Sequence, residues 1–429
     1  MPKNKGVLIS ALVACALMTG CKDDKKETVS IEFMHSSVEQ ERQAIIGKLI
    51  QRFEKENPGI TVKQVPVEED AYNTKITTLA RSGALPEVIE ISHDYAKVMD
   101  KEQLLDRDAV QSVITTLGEN AFYDGILRIV RTEDAKAWTG VPISAWIQGV
   151  WYKKSVLEKA GLQPPHDWQS LLSVASKLND PQHKKYGIAL PTAESVITEQ
   201  AFSQFALSNN ANVFDSNGAI TLNTPQMAEA LTVYQSLAKE TMPGSNNVME
   251  IKDAFMNGAA PMAIYSTYIL PAVYSEGDPQ DLGFVVPNQT SPAVYGMITS
   301  LTLTAGQTDV ETDAAKKFVV FMEHAQNAAD WVLMSPGAAL PVIRAVSGTA
   351  SYKDNPVIKA FGDLPAQLIA QYPNMRAFGS VGDKNFTRMG DITGSGALNA
   401  MVNSVTVGNR DVQATLEQSQ KRIEELATH

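Results

Sequence analysis

The sequence predicts an α/β fold in at least two domains, and three observations carry that expectation. Its 429 residues exceed what a single hydrophobic core ordinarily organises. Between residues 29 and 91, strand-like and helix-like stretches follow one another as β-α-β-α-β, an order that calls for a parallel sheet with helices on its faces. The stretch DAFMNGAAPMAIYSTYIL, 253–270, runs from a helix end through a short buried strand into a polar, aromatic cluster. An open α/β sheet meets ligands just outside the carboxyl ends of its strands, so that cluster is a candidate contact region.

In chain order, the first segment is an address. Lys3 and Lys5 precede an uncharged, mainly apolar run over 6–18, too short to cross a bilayer but suited to a signal-peptide core. It leads into Met18-Thr19-Gly20-Cys21, small residues before a cysteine in the manner of a lipobox. We therefore expect residues 1–20 to be a signal peptide, Cys21 to be lipidated, and 21–28 to be the lipidated N-terminus and a charged tether. Cys15 and Cys21 are the only cysteines, so no structural disulfide is expected in the exported chain.

Residues 29–34 alternate apolar and polar side chains and read as a first strand. Ser36 with Glu39 fits an S-x-x-E capping box. Ile45, Ile46, Leu49, Ile50 and Phe53 then share one helical face, which Asn57-Pro58-Gly59 terminates. A second strand over 60–65, a helix over 72–81 stopped at Ser82-Gly83, and a third strand over 88–91 complete the opening unit. Farther on, 187–190 reads as a strand, 206–214 and 228–239 as helices, and 215–218 as a turn. In the 253–270 stretch, Asn257-Gly258 stops a helix and Met262-Ala263-Ile264 forms the strand. A strand over 282–286, a strand pair over 293–304, a helix over 312–323 with Phe318, Val319 and Met322 on one face, and an amphipathic closing helix over 412–426 follow.

Four phrases stand in an order similar to that of the extracellular solute-binding proteins of ABC importers, the sugar-binding, maltose-binding-protein-like class. They are 53–92, with FEKENPGITV and LARSGALPEVIEIS; 140–172, GVPISAWIQGVWYKKSVLEKAGLQPPHDWQSLL; the stretch DAFMNGAAPMAIYSTY; and Leu340-Pro341-Val342. The resemblance implies a periplasmic-binding-protein type II-like fold, two α/β lobes joined by a three-segment hinge. Lobe 1 would comprise 29–143 plus 292–342, and lobe 2 would comprise 144–291 plus 343–429.

A formal net charge of −11 argues against a nucleic-acid partner, whose backbone would repel the chain. Catalytic and phosphate-cradling motifs of the H-E-x-x-H, G-x-S-x-G, P-loop and G-x-G-x-x-G types are missing from the sequence. Its six histidines lack metal-ligand spacing, so no metal and no cofactor are expected. Recognition chemistry fits better. A sugar offers hydroxyls at its rim and C–H patches on its faces, and sites that hold it combine planar polar side chains with stacked rings. Strand ends supply such candidates: His35, Asp94, Tyr95, Trp146 beside Ser144, Glu194, Tyr265, Tyr268 and Tyr295. By resemblance, Asp94 stands where an acidic residue hydrogen-bonds sugar hydroxyls, and Glu194 lies in the second lobe's contact loop. Tyr265 and Tyr268 flank a stacking position. Trp146 replaces a carboxylate of the maltose binders, which separates the expected ligand from maltose, and Ser266 replaces the usual glycine after the strand.

The resemblance implies a monomeric, non-enzymatic protein of the cell envelope, periplasmic or extracytoplasmic. It would be anchored to the membrane through Cys21 and would capture a carbohydrate for ABC transporter permease subunits. Two alternatives stand beside this reading: a secreted carbohydrate-active enzyme using Asp94 and Glu194 as acid and base, and a sensor partner that presents its ligand to a receptor.

Overall fold

A computed structural model of the protein describes residues 28–382 and 384–426. The expected signal peptide, Cys21 and the tether up to residue 27 lie outside the described residues. The opening unit folds as β1 (Val29–His35), α1 (Gln40–Glu56), β2 (Ile60–Pro66), α2 (Glu69–Ser82), β3 (Val88–Ser92) and α3 (His93–Lys101). Both β2 and β3 run parallel to β1. Gly83 ends α2 in the left-handed conformation, at φ 63°, where a side chain would be strained.

The sheet is extended by β4 (Val141–Lys153), β5 (Met262–Ser266), β6 (Leu282–Val285) and β7 (Gly296–Leu303). Among the described residues it is seven-stranded, in the order β2-β1-β3-β7-β4-β5, with β6 also pairing β4. Strand β4 joins its two halves. From Val141 to Ile147 it pairs with β7, and from Gln148 onward it pairs with β5 and then β6. Every residue of β4 from Val141 to Tyr152 is buried except Trp146, which fits a strand covered on both faces.

Helices cover both halves. The ones that matter below are α4 (Val196–Ser208), α5 (Val248–Met256), α6 (Asp309–Met322) and α7 (Ala325–Val332). Phe318 of α6 packs edge-on against Phe53 of α1 and Phe33 of β1, at ring separations of 5.1 and 5.4 Å. Trp151, Phe255 and Ile269 belong to the same continuous core, while Trp168, Phe202, Tyr234 and Leu398 belong to a second one. Met34, Tyr72, Ile76 and Met99 form a third, smaller core near α2 and α3.

Four local expectations are corrected. The capping box at Ser36 and Glu39 does not form. Helix α1 starts at Gln40, and Ser36 donates its N–H and Oγ to Glu90 Oε2 at 2.8 and 3.2 Å, because a half-buried carboxylate requires donors. The helix expected over 206–214 is α4, which ends at Ser208. It is buried on all sides from Thr198 to Ser208, so no polar stripe marks its bounds. Residues 187–190 make a single bridge, Ala189 to Ala263, because Pro191 lacks the N–H that would continue the ladder. The strand pair expected over 293–304 is the single strand β7, which has β3 on one side and β4 on the other.

Candidate functional site

A cavity of about 860 Å³ opens where the two halves of the sheet meet. It lies beyond the carboxyl ends of β1 and β3, the place an open α/β sheet reserves for ligands, and is lined there by Ser36, Ser37, Glu90, Ile91 and Ser92. Helices α1 and α2 contribute Arg42 and Glu69, and α7 with its C-terminal turn contributes Trp331, Met334 and Ser335. The facing wall comes from β4 and β5 (Trp146, Gln148, Tyr265, Ser266), from Tyr268 just beyond β5, and from α4 and α5 (Val196, Ile197, Gln200, Val248).

The first wall is charged. Glu90 interrupts the apolar run of β3. Its Oε2 is held by Ser36, while Oε1 has no partner among the described residues. Burial raises the Glu90 carboxyl above the usual range, against the lowering effect of Ser36 and Arg42. The Arg42 guanidinium donates to Ser335 Oγ at 2.8 Å and sits 3.8 Å from the Glu39 carboxylate. The second wall is aromatic and amide-bearing. Tyr268 is 45 % exposed, and its hydroxyl, raised in pKa first by desolvation, lies within reach of the charges of Arg42, Glu90 and Glu69. Tyr265 pairs through β5 with Gly149 of β4, and its carbonyl accepts from Trp151 Nε1 at 2.7 Å, so its backbone is fixed from below.

Three of the sequence-predicted residues, Trp146, Tyr265 and Tyr268, line this cavity together. Tyr295 stands directly behind them, its ring 5.8 Å from that of Trp146, and burial pushes its hydroxyl pKa up. The other four lie elsewhere. His35 is fully buried at the end of β1, where Nε2 meets Gln64 Oε1 at 3.2 Å, and desolvation lowers its pKa to about 4. Asp94 is exposed in the first turn of α3, where Oδ1 accepts the Tyr95 N–H. Tyr95 spans from α3 to α2, its hydroxyl 3.2 Å from both Thr77 Oγ1 and Asn73 O. Glu194 is exposed two residues ahead of α4, and residues of that helix line the cavity in its place.

Behind α4 lies a buried polar layer. Glu199 Oε1 accepts from Thr393 Oγ1 at 2.6 Å, and Oε2 has no partner among the described residues. Desolvation, assisted by the charge of Asp94, raises this carboxyl to about 7. Gln200 is 7 % exposed, and its Oε1 likewise has no partner among the described residues. No group of three or more His, Cys, Asp or Glu positioned to hold a metal occurs among the described residues.

Sequence reasoning missed Arg42, Glu69, Glu90, Gln200 and Trp331. Glu90 had a signal, a carboxylate inside the apolar strand run Val88-Ile89-Glu90-Ile91. Arg42 and Trp331 had none, since each sits on a helix whose apolar face accounts for its pattern and only the tertiary fold brings them to the cleft.

Residues 36–329 match the family model described as bacterial extracellular solute-binding protein. The chain is 71 % identical over 426 residues, 99 % of each chain, to YcjN of Escherichia coli (strain K12), provisionally named an ABC transporter periplasmic-binding protein. It is 22 % identical over 334 residues to the multiple sugar-binding protein of Streptococcus mutans, covering 74 % of this chain and 77 % of that one. Among solved structures, the sugar-binding protein MalE from Xanthomonas citri aligns with a TM-score of 0.75 at 17 % identity, over 93 % of this chain and 97 % of that one, a likeness of fold.

Proposed function

The chain belongs to the family of bacterial extracellular solute-binding proteins, and on that premise we propose that it captures a sugar or oligosaccharide in its cleft and delivers it to an ABC importer. One observation carries the reading: Trp146, Tyr265 and Tyr268 line the same cavity as Glu90, Arg42 and Gln200. Rings stack on the C–H faces of a sugar, and carboxylate, guanidinium and amide groups meet its hydroxyls. Two lobes close on the ligand, 29–143 plus 292–342 against 144–291 plus 343–429. The ligand contacts both walls and therefore shifts an open–closed equilibrium. Aromatic contact comes from Trp146, Tyr265 and Tyr268, with Tyr295 supporting Trp146.

The protein acts without turnover, as a monomer tethered to the envelope membrane through lipidated Cys21. The enzyme alternative draws no support from geometry, because neither Asp94 nor Glu194 lines the cavity. A thermal-shift screen of mono- and oligosaccharides, followed by calorimetry and product analysis of each hit, tests the proposal. Saturable binding with no product is expected; released product would overturn it in favour of the enzyme. Mass spectrometry of the mature N-terminus tests the anchor, and an unmodified chain starting elsewhere than Cys21 would remove it.

A further inference from the structure

The cleft carries a marked imbalance of charge. Its lining holds four carboxylates, Glu39, Glu68, Glu69 and Glu90, and a single cation, Arg42. That cation is already engaged, 3.8 Å from Glu39 and hydrogen-bonded to Ser335 Oγ. Glu68 and Glu69 are exposed at the start of α2, whereas Glu90 is half-buried, lines the cavity and is held through Oε2 by Ser36. From the opposite wall Gln200, 7 % exposed, brings a carbonyl Oε1 that has no partner among the described residues.

We propose that this cleft selects its ligand by charge, admitting neutral and amine-bearing sugars and rejecting uronates and sugar phosphates. The inference rests on the sugar-capture reading and adds a substrate class to it. An ammonium or hydroxyl gives donors to Glu90 and the other lining carboxylates. A carboxylate or phosphate brings only acceptors and charge into a pocket whose formal balance is already negative by three. Closure of the cleft would remove water and sharpen that repulsion.

The test uses glucose, galactose, mannose and their common disaccharides in three matched forms: neutral, with the 2-hydroxyl replaced by an amine, and with C6 oxidised to the carboxylate. Calorimetry at low salt should find the carboxylate form at least about tenfold weaker than its neutral parent and the amine form equal or tighter. The gap should narrow in about 0.5 M salt, as screening requires. The double variant Glu68→Gln, Glu69→Gln removes two exposed charges with little risk to the fold, and should raise affinity for the carboxylate form several-fold relative to the neutral one. Equal binding of neutral and carboxylate forms to the unaltered protein would overturn the charge inference alone. Failure of every form to bind would overturn the sugar reading and this inference with it. A carboxylate form that bound best and lost that binding in Arg42→Gln would assign the opposite selectivity.

Discussion

The two walls of the cleft are built on different plans. One is aromatic and strand-borne: Trp146 and Tyr265 stand on adjacent, paired strands, and Tyr268 follows two residues beyond the end of β5. The other is charged and mainly helix-borne, drawing Arg42 from α1, Glu69 from α2 and Trp331 from α7, with Glu90 the charged residue that β3 contributes. Pairing with β7 at Trp146 and with Gly149 of β4 at Tyr265 fixes the backbone of the aromatic wall. The charged wall depends on how three helices pack against the sheet, and its charges are held by a few hydrogen bonds to Ser36 and Ser335. On the proposed reading, the aromatic wall supplies contact area and the charged wall supplies selectivity.

The sharpest way to break this division is to remove a ring. Trp146→Ala should cost about 2 kcal/mol or more of affinity for whichever sugar the screen identifies, the scale of a central aromatic anchor. Tyr268→Ala should cost somewhat less and leave the melting temperature nearly unchanged, since the ring is 45 % exposed and supports little core. Calorimetry and a thermal melt on both variants check this. Full affinity combined with a large drop in melting temperature would make the rings structural and dissolve the contrast between the walls.

On the charged wall, Glu90→Gln keeps an acceptor for Ser36 but removes the negative charge. Hydrogen bonds to charged groups contribute about 1.5–3 kcal/mol, so an affinity loss toward the lower end of that range is expected, with most of the stability retained. An unchanged affinity would mean that the Oε1 position is not used.

These walls also differ in how much of them the sequence discloses. Strand period, turn residues and the helix stop at Asn257-Gly258 are local signals, and together with the family resemblance they mark Trp146, Tyr265 and Tyr268 as candidates. Gly83 and Asn57-Pro58-Gly59 bound the first helices for the same reason. Arg42 and Trp331 belong to helices distant in sequence, and their meeting is a product of tertiary packing alone. Helix α4 escaped correct placement because the amphipathic period that reveals a helix vanishes when every face is buried. His35 looked like a strand-end contact, yet the first polar residues to reach the cavity after β1 are Ser36 and Ser37. One residue of register decides which side of a strand a side chain occupies.

Behind the aromatic wall, Glu199 offers a smaller, pH-dependent effect. Its folded-state pKa is raised from 4.5 to about 7 by burial. A carboxyl raised in this way contributes its stability fully below pH 4.5 and loses it as pH rises through about 7. The protein should thus lose stability between pH 5 and pH 8 in part through this group, and Glu199→Gln should flatten that loss. The two proteins should melt alike near pH 5 and separate by on the order of 1 kcal/mol in favour of the variant near pH 8. Parallel melting curves across the range would show that Glu199 ionises freely.

The smallest effects should come from the two carboxylates that sequence reasoning placed at the site and the fold places beside it. Asp94 faces solvent in the first turn of α3, where its carboxylate accepts the neighbouring Tyr95 N–H and complements the helix N-terminus. Glu194 is exposed ahead of α4, while Ile197 and Gln200, one turn into that helix, take the lining positions. Neither carboxylate reaches the cavity, so Asp94→Asn and Glu194→Gln should each shift sugar affinity by less than about 0.5 kcal/mol, the range of ordinary surface substitutions. The comparison with Glu90→Gln is the informative one, because all three changes remove one negative charge and differ only in position. If Asp94→Asn weakened binding as much as Glu90→Gln, closure would have to carry α3 into contact with the ligand, and the charged wall would extend past β3. If it did not, selectivity would reside in the carboxylates that line the cavity, with Glu90 at their centre.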